Sequence, residues 1–425
     1  MLKSKFIFLP EKYSFHSLCT AAYLFFFYMQ ASLRWPAFEA IRFHFLFGAF
    51  LALISIVKIL KKKKFVSKLD AKDPLIVSAL QLKKASYWLL AIMCVYTVFS
   101  YAPDVSADVF VDRVFKYALV AFFVYVAVET LDDLKVIILG VFLAWLKVAS
   151  EGFLGWIDGS MMWESQGFQR LHGSSAFVGH PNSFSLFALG CLALSMGFYK
   201  SESLVLDKIA LGLLAIFSLV IIIFTGSRSG YVALFFVTTV LFFRAGHSKF
   251  KIVVLSLFLL LAILPFIPVE YYERFESIFT GQEAEGNSSG TRLIIMDDAV
   301  NIFFAYPFGV GVEAFSAVRM DMFGRVQNIH MLYLEILTNL GPFGLIVFML
   351  FAYRLLSLAK LGVKEADKLD STFLSGLCKF VYIFILFRLV FGLFAMDLYE
   401  VHWWLCLGLL LASVKLLTQT QTIDS

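Results

Sequence analysis

The stretch VQNIHMLYLEILTNLGPFGLIVFMLF, residues 326–351, changes from polar to apolar along its length. Its first half carries His330 and Glu335, whereas the residues from Leu340 onward are almost entirely apolar. An α-helix that crosses a bilayer needs about 20 mostly apolar residues, and this run reaches that length with the residues that follow it. The stretch therefore predicts a membrane helix with two ionisable side chains near its start.

The composition of the whole chain agrees with a membrane protein. Of 425 residues, 60% are hydrophobic and 49 are phenylalanine, a larger apolar share than the roughly half that is usual for soluble domains. The apolar residues form long runs instead of alternating with polar ones, which favours helices over a membrane β-barrel. Since the basic residues lie mostly in short loops, the formal net charge of +5 does not indicate a nucleic-acid-binding protein.

Apolar runs of spanning length recur throughout the chain. We therefore predict an all-α membrane protein, a polytopic bundle of about 12 transmembrane helices, which forms a single integral membrane domain over residues 1–425. The predicted spans are 15–33, 40–60, 86–102, 110–129, 135–154, 181–199, 208–226, 229–244, 251–269, 340–358, 371–393 and 402–416.

The distribution of lysine and arginine predicts the orientation of these spans. Alternate loops are rich in lysine, as in the KKKK run at 61–64, and such loops face the cytoplasm. With an even number of spans, both termini are then cytoplasmic. The lysine-poor loops face outward, and the longest of them, 270–339, contains His330.

The long outer loop, 270–339, is expected to have structure of its own, because connectors of this length are uncommon. Ser289 or Thr291 can cap a helix that begins with Arg292 and ends before Pro307. Such an amphipathic helix would lie in the membrane interface with its apolar stripe against lipid. The stripe consists of Leu293, Met296, Val300, Phe303 and Phe304.

Two further outer segments carry candidate functional residues. In FTGSRSGYV, residues 224–232, Gly226 and Gly230 allow a tight turn between spans, with Arg228 at its tip. An arginine at a helix end often only reaches for the interface, but on the outer side Arg228 opposes the charge pattern, which favours a functional role. In RLHGSSAFVGHPNSFSLF, residues 170–187, Pro181 marks a helix start that Asn182 or Ser183 can cap.

Taken together, the outer loops offer several fixed cations and a base. Arg228 and Arg292, with Arg170 as an additional candidate, can bind phosphate oxygens in a bidentate manner, and His330 can accept a proton from a hydroxyl. Taken singly, His330, His172 and His180 are most simply explained by local hydrogen bonds. In company they predict a site for the head group of an anionic, lipid-linked substrate. No metal-ligand cluster faces outward, because Asp297 and Asp298 alone do not make one.

Three segments carry a resemblance to a known family. The order TGSRSG, SGTRLIIMDDAVNIFFAYPFGVGVEAF and NIHMLYLEILTNLGPFGLIVFML resembles the core of the O-antigen ligase and polymerase family, and GHPNSFSLFALG resembles its upstream helix start. The resemblance covers about residues 177–351 and the number of spans. It departs from the family pattern at Met331, where asparagine is frequent, and at Thr338 and Asn339, where an acidic residue is frequent.

The resemblance implies glycosyl transfer at the periplasmic face of the bacterial inner membrane, without a cofactor or metal. The donor would be a glycan on undecaprenyl pyrophosphate, and the acceptor either lipid A–core, as in a ligase, or another lipid-linked repeat, as in a polymerase. We favour the ligase, with membrane lipids as further partners. His330 would be the catalytic base, and Arg228 and Arg292 would bind the pyrophosphate. The supporting candidates are Arg170, His180, Asn182 and Glu335.

A polytopic transporter is the alternative from another functional class. Transporters place ionisable groups within their spans, and here Lys147 and Glu151 lie four residues apart in one predicted span, with Arg388 in another. These residues form a weaker pattern than the group in the outer loops, and the sequence contains no apparent inverted repeat.

Overall fold

A computed structural model describes residues 7–61, 73–165, 167–175, 177–199, 204–244, 269, 271–272 and 288–424. The statements below refer to these residues. The predicted all-α fold is confirmed, because helices account for nearly all regular structure and the described strands form a single two-stranded hairpin. The predicted span at 251–269 and much of the loop that follows lie outside the described residues.

The helices follow one another along the chain in a simple order. The first half contains α1 (Phe15–Tyr28), α2 (Ala31–Arg34), α3 (Pro36–Ala40), α4 (Phe43–Lys61), α5 (Pro74–Val98), α6 (Pro103–Val109), a π-helical segment (Phe110–Phe115), α7 (Lys116–Ala127) and α8 (Leu131–Ile157). After the strands β1 (Met162–Ser165) and β2 (Phe168–Leu171) come α9 (Pro181–Phe198), α10 (Val205–Phe224), α11 (Arg228–Arg244), α12 (Ser288–Ala305), α13 (Phe315–Phe323), α14 (Leu332–Lys368), α15 (Thr372–Phe391) and α16 (Val401–Asp424).

Eight of the described helices are long and apolar enough to cross a membrane, which makes the chain a multi-pass membrane protein. They are α4, α5, α8, α9, α10, α14, α15 and α16, while α1 and α11 are shorter apolar helices. The total of about 12 spans stays a prediction, since it also counts the shorter helices and the segment at 251–269.

The predicted start of one span was wrong by about three turns. Helix α5 begins at Pro74 instead of residue 86, with the Asp73 carboxylate accepting the Leu75 N–H at 2.7 Å as an N-cap. Lys83 and Lys84 therefore lie on the helix and not in a loop. A hydropathy profile places the boundary of a span at the first lysines. A lysine can nevertheless lie within the helix, with its apolar stem along the helix and its ammonium group at the membrane surface.

Helix α16 lies at the centre of the bundle. In its most apolar stretch 94% of the residues are buried, and it packs against α7, α14 and α15. The His402 ring stacks on Tyr28 of α1, with ring centroids 5.7 Å apart, and Trp403 is buried against Phe348 of α14. The last helix in the sequence is thus the one around which the others are arranged.

Helix α14 is one helix in extent but has a sharp kink at Gly341 and Pro342. Gly341 adopts φ 64°, which favours glycine, and Pro342 lacks a donor for the preceding turn. The freed carbonyls of Thr338 and Asn339 accept the N–H groups of Val310 and Gly311 at 2.9 Å each. The GVGV segment therefore closes the break in the helix, and the predicted span start at 340 coincides with the kink instead of a helix end.

The helix predicted from Arg292 to Pro307 is present as α12, although it begins at Ser288, so Ser289 and Thr291 lie inside its first turn. Its Ile295, Ala299 and Ile302 pack with α13 and the segment before α14 in a small separate core. The predicted apolar stripe lies on the opposite side, where Leu293 and Phe304 are largely exposed. This orientation leaves the stripe available to lipid.

Candidate functional site

Arg170 joins three separate parts of the chain. Its side chain is buried on β2, in the hairpin that the sequence analysis treated as a loop. The Nε atom donates to the Thr225 carbonyl at 2.8 Å, and Nη2 donates to the Asn182 side-chain oxygen at 3.1 Å. These bonds hold the hairpin, the turn after α10 and the start of α9 in one arrangement.

The turn at 225–227 sets the position of Arg228. Gly226 has φ 59°, and a Cβ atom there would lie 2.6 Å from the Phe168 ring, so the turn needs glycine for both reasons. Arg228 follows directly as the half-buried first residue of α11. The Tyr271 hydroxyl lies 2.5 Å from the Gln169 carbonyl oxygen and 3.1 Å from that of Phe224, and its single hydrogen can be donated to either, which links the hairpin to the end of α10.

His180 is the N-cap of α9. The sequence predicted Asn182 or Ser183 for this role, and that prediction was wrong. The His180 Nδ1 atom accepts the Asn182 backbone N–H at 3.1 Å. Burial, followed by the charges of Arg170, His330 and Arg292, lowers the pKa of His180 from 6.5 to about 4. Arg170, Arg292 and His330 therefore lie close enough to His180 to influence its imidazole, although they come from distant parts of the sequence.

His330 and Arg292 are also electrostatic neighbours. The His330 ring is exposed at the surface, yet the protein around it and then the Arg292 guanidinium lower its pKa below 6.5. Both histidines are therefore neutral at neutral pH and can accept protons. A bound anion would oppose these effects and raise the pKa of His330, which would make it a better base when substrate is present.

The three residues that precede His330 are held in place by the surrounding structure. Ile329 is buried in the small core beside α12 and α13. The Asn328 side chain donates to the Glu313 carboxylate at 2.8 Å, and Arg319 Nη1 donates to the Gln327 carbonyl at 2.9 Å. The three residues before His330 are thus fixed by packing and hydrogen bonds, which limits the positions that the imidazole can take.

Asp298 anchors this arrangement from α12. Its carboxylate, 3% exposed with the rest of the residue, pairs with the buried Arg319 at 2.8 Å and with Arg325 at 3.0 Å. These arginines were not identified from the sequence, because nothing local links them to Asp298. In the described part of the chain, no three His, Cys, Asp or Glu side chains are grouped as metal ligands.

Glu335 lies on a different side of the same region. Its carboxylate accepts the Asp397 backbone N–H at 3.3 Å, and Asp397 forms a buried ion pair with Arg388 in which Nε lies 2.7 Å from Oδ2. Glu335 thus contacts the segment between α15 and α16 that Arg388 also holds. Arg388 lies in the last turn of α15 and forms a buried ion pair with Asp397.

The other ionisable pair that suggested a transporter is also in a closed network. Glu151 receives two hydrogen bonds from the Arg34 guanidinium, at 2.9 and 2.7 Å, and pairs with Lys147 at 2.7 Å. Ser174 donates to the same carboxylate at 2.6 Å. Glu151 therefore ties α8 to the end of α2 and to the loop that leads to His180.

The structure brings most of the predicted residues into one region. Arg170, His180, Asn182, Arg292 and His330 are linked by hydrogen bonds or by mutual charge effects. Arg228 is placed close to Arg170 by the turn between them, and its convergence with Arg292 on one ligand stays a prediction.

Comparison with known families identifies this region. Residues 213–349 match a family model described as O-antigen ligase. The chain carries an O-antigen ligase family domain. The matched region runs from α10 past the kink in α14, so it includes Arg228, Arg292 and His330, whereas Arg170, His180 and Asn182 precede it. No curated protein matches the chain.

The matched O-antigen ligase domain has a direct functional consequence. The chain is a membrane enzyme of the ligase or polymerase type, and its substrates are lipid-linked glycans in general. The resemblance seen in the sequence is thereby confirmed.

Proposed function

We propose that this protein is an O-antigen ligase, which transfers a glycan from undecaprenyl pyrophosphate to a sugar hydroxyl of lipid A–core at the periplasmic face of the bacterial inner membrane. The observation that carries this proposal is the group formed by Arg170, which is hydrogen-bonded to Asn182 at the start of α9, and by His180, Arg292 and His330, which lie close enough for the arginine to lower the pKa of both imidazoles. Permanent positive charge beside two neutral imidazoles suits an anionic leaving group and an acceptor that must lose a proton.

The donor pyrophosphate would bind between Arg228 and Arg292. Arg170 has its Nε and Nη2 atoms committed to Thr225 and Asn182, so we assign it a positioning role and leave the direct contacts to the other two. Guanidinium groups form bidentate, charge-assisted hydrogen bonds with phosphate oxygens. These bonds strengthen as negative charge develops on the leaving group, which is the condition for lowering the barrier.

The reaction would be a direct displacement with inversion. The acceptor hydroxyl oxygen forms a bond to the anomeric carbon while the bond from that carbon to the pyrophosphate oxygen breaks. The hydroxyl proton passes to His330, and undecaprenyl pyrophosphate leaves with its charge balanced by the arginines. In this mechanism the arginines supply the positive charge that a metal ion supplies in other transferases, so we propose a metal-independent reaction.

The choice of ligase over polymerase depends on the acceptor. Helix α12 presents Leu293, Val300 and Phe304 away from the protein, which suits a helix that lies in the outer interface of the membrane. Its first turn carries Arg292, so an acceptor anchored in the same leaflet would reach the site along this helix. Lipid A–core meets this requirement, and a lipid-linked repeat is the alternative acceptor.

The glycolipid profile of a deletion strain tests the proposed function. Loss of a ligase is expected to leave long polymer on its lipid carrier beside bare lipid A–core, and expression of the intact protein should restore the joined product. Lipid A–core that carries a single repeat would instead identify a polymerase. An unchanged profile would contradict both activities.

Replacing either Arg228 or Arg292 by lysine is expected to slow transfer about tenfold to a hundredfold, the range that corresponds to losing one charge-assisted hydrogen bond. Lysine keeps the charge but cannot form the planar two-point contact. Transfer should be measured with purified protein and lipid-linked donor over a range of donor concentrations. Arg354→Lys, on α14 and far along the chain from the site, is the matched control and should retain normal rates. Full activity of both site variants would exclude bidentate binding of the pyrophosphate.

A further inference from the structure

A crevice opens in the bundle between α4, α5, α7 and α16. It encloses roughly 640 Å³. Its wall is mostly apolar, and Leu90, Leu119, Phe122, Trp404 and Leu407 are among the side chains that line it. Such a volume and lining are typical of sites that bind an apolar ligand with a small number of polar contacts.

Three lysines from three different helices surround one end of this crevice. Lys58 lies on α4, Lys83 on α5 and Lys415 on α16, and each is half-buried. Lys83 Nζ donates to the Tyr125 hydroxyl at 3.1 Å and lies 4.3 Å from the centre of its ring. Lys415 Nζ is 5.7 Å from the same ring centre. The three ammonium groups therefore gather around the end of α7.

The lysines also satisfy the last carbonyls of α7. Lys58 donates to the Ala127 carbonyl at 3.1 Å, and Lys415 donates to that of Val128. Cations at a helix C-terminus are favourable because the carbonyls there have no partners within the helix. Only two of the three lysines bond to these carbonyls, so capping the helix does not account for all of them. Glu129 pairs with Lys58 at 3.4 Å. Among the described residues that line the crevice there are three lysines and no Asp or Glu.

This end lies opposite the candidate active site. Helix α5 ends at Val98, and just beyond this end the Tyr101 backbone N–H donates to the Val310 carbonyl at 2.8 Å, whereas Lys83 lies in the first half of the helix. By the lysine distribution along the sequence, the end that carries these lysines faces the cytoplasm. A cation cluster at that level meets the anionic headgroups of the inner leaflet.

We propose that this crevice is a binding site for an anionic phospholipid of the leaflet opposite the active site. The phosphate would lie among Lys58, Lys83 and Lys415 next to Tyr125, and an acyl chain would lie along Leu90, Phe122 and Leu407. An ammonium group has three donor hydrogens, so Lys58 and Lys83 can bind a phosphate without giving up their present contacts. The proposal does not depend on the enzymatic function.

Lipid binding by purified protein tests this proposal. Native mass spectrometry and thermal unfolding should be measured with added phosphatidylglycerol, phosphatidylcholine or inorganic phosphate. We expect phosphatidylglycerol to bind and to raise the unfolding temperature, with a much smaller effect of phosphatidylcholine and none of phosphate alone. Each of Lys58→Gln, Lys83→Gln and Lys415→Gln should weaken phosphatidylglycerol binding about fivefold, which corresponds to the loss of one lysine near an anionic headgroup. The exposed neighbour Lys84→Gln is the matched control and should bind as the unchanged protein does.

A second variant separates lipid binding from helix capping, because the glutamine variants could also weaken the end of α7. Ala118→Trp places a large side chain in the apolar part of the crevice and leaves all three lysines in place. We expect it to unfold in detergent at the same temperature as the unchanged protein but to lose the rise caused by phosphatidylglycerol. Equal responses to phosphatidylglycerol and phosphatidylcholine would overturn the proposal, as would a normal response in both Ala118→Trp and Lys83→Gln.

Discussion

His330→Ala is expected to reduce glycan transfer by about 10²–10⁴-fold, the contribution that a general base usually makes. Without the imidazole, the acceptor hydroxyl would have to attack while it still holds its proton. The site should otherwise persist, because Ile329 and Asn328 hold the segment through packing and a hydrogen bond that do not involve the histidine ring. The protein should therefore remain inserted and bind the donor with normal affinity.

His172→Ala provides the matched control for this variant. His172 lies in the loop before His180, with its ring packed at a tilt against Trp163 of β1 at a centroid distance of 4.9 Å, and it has no role in the proposed mechanism. Transfer by the two variants should be compared in the same membranes at equal protein levels. Near-normal transfer by His330→Ala would remove His330 as the base.

The dependence of transfer on pH offers an independent test of His330. A base must be neutral to accept a proton, so kcat/KM should be constant above the pKa of His330 and fall as pH drops below it. Since partial desolvation by the surrounding protein and the charge of Arg292 lower that pKa, the fall should begin below pH 6.5 in the free enzyme. The residual activity of His330→Ala should lack this limb. If the limb persists unchanged in the variant, it belongs to another group.

Asp298→Ala is expected to lower the free energy of unfolding by about 3–5 kcal/mol, as usually happens when one partner of a buried ion pair is removed. Arg319, 1% exposed, would lose its carboxylate partner while still buried. Arg319 also donates to the Gln327 carbonyl, three residues before His330. The variant should therefore lose catalytic activity as well as stability, although Asp298 does not contact substrate.

Asp297→Ala is an unusually close control for this experiment, because it removes the same group from the neighbouring residue on α12. Asp297 is exposed, and among the described residues its carboxylate accepts a single long bond, of 3.4 Å, from Asn301 in the same helix. Unfolding by denaturant in detergent should show little change for this variant, since exposed substitutions usually cost less than about 0.5 kcal/mol. Equal stability of the two variants would contradict the anchoring role of Asp298.

The sequence predicted those parts of the fold that depend on local chemistry. Helix α12 ends before Pro307, and α9 begins at Pro181, because proline restricts where a helix can continue. The span with Lys83 was placed too late because a hydropathy average cannot distinguish a loop lysine from one whose stem lies along a helix. The hairpin was missed because its strands are only four residues each, although Gly167 between them adopts φ 82°, as turns require.

The sequence predicted which residues belong to the candidate site, but it did not predict the hydrogen bonds and charge effects that connect them. Arginines in outer loops and a histidine before a span can be recognised from charge and topology. The bond between Arg170 and Asn182, and the charge effect of His330 on His180, depend on how distant segments pack. The same applies to Asp298, whose two arginine partners lie 21 and 27 residues further along the chain. Contacts between residues so far apart in the chain cannot be predicted from a single sequence.

The central position of α16 constrains how the protein can be made. Residues 401–424 leave the ribosome after every other described helix, yet they occupy the middle of the bundle, with His402 against Tyr28 of the first helix. The earlier helices must therefore stay loosely associated in the membrane, or part again, until α16 is inserted. We expect a nascent chain that stops before residue 401 to be a client of membrane quality control and not a partly active enzyme. Assembly of the described helices then depends on the insertion of α16 among helices that are already in the membrane.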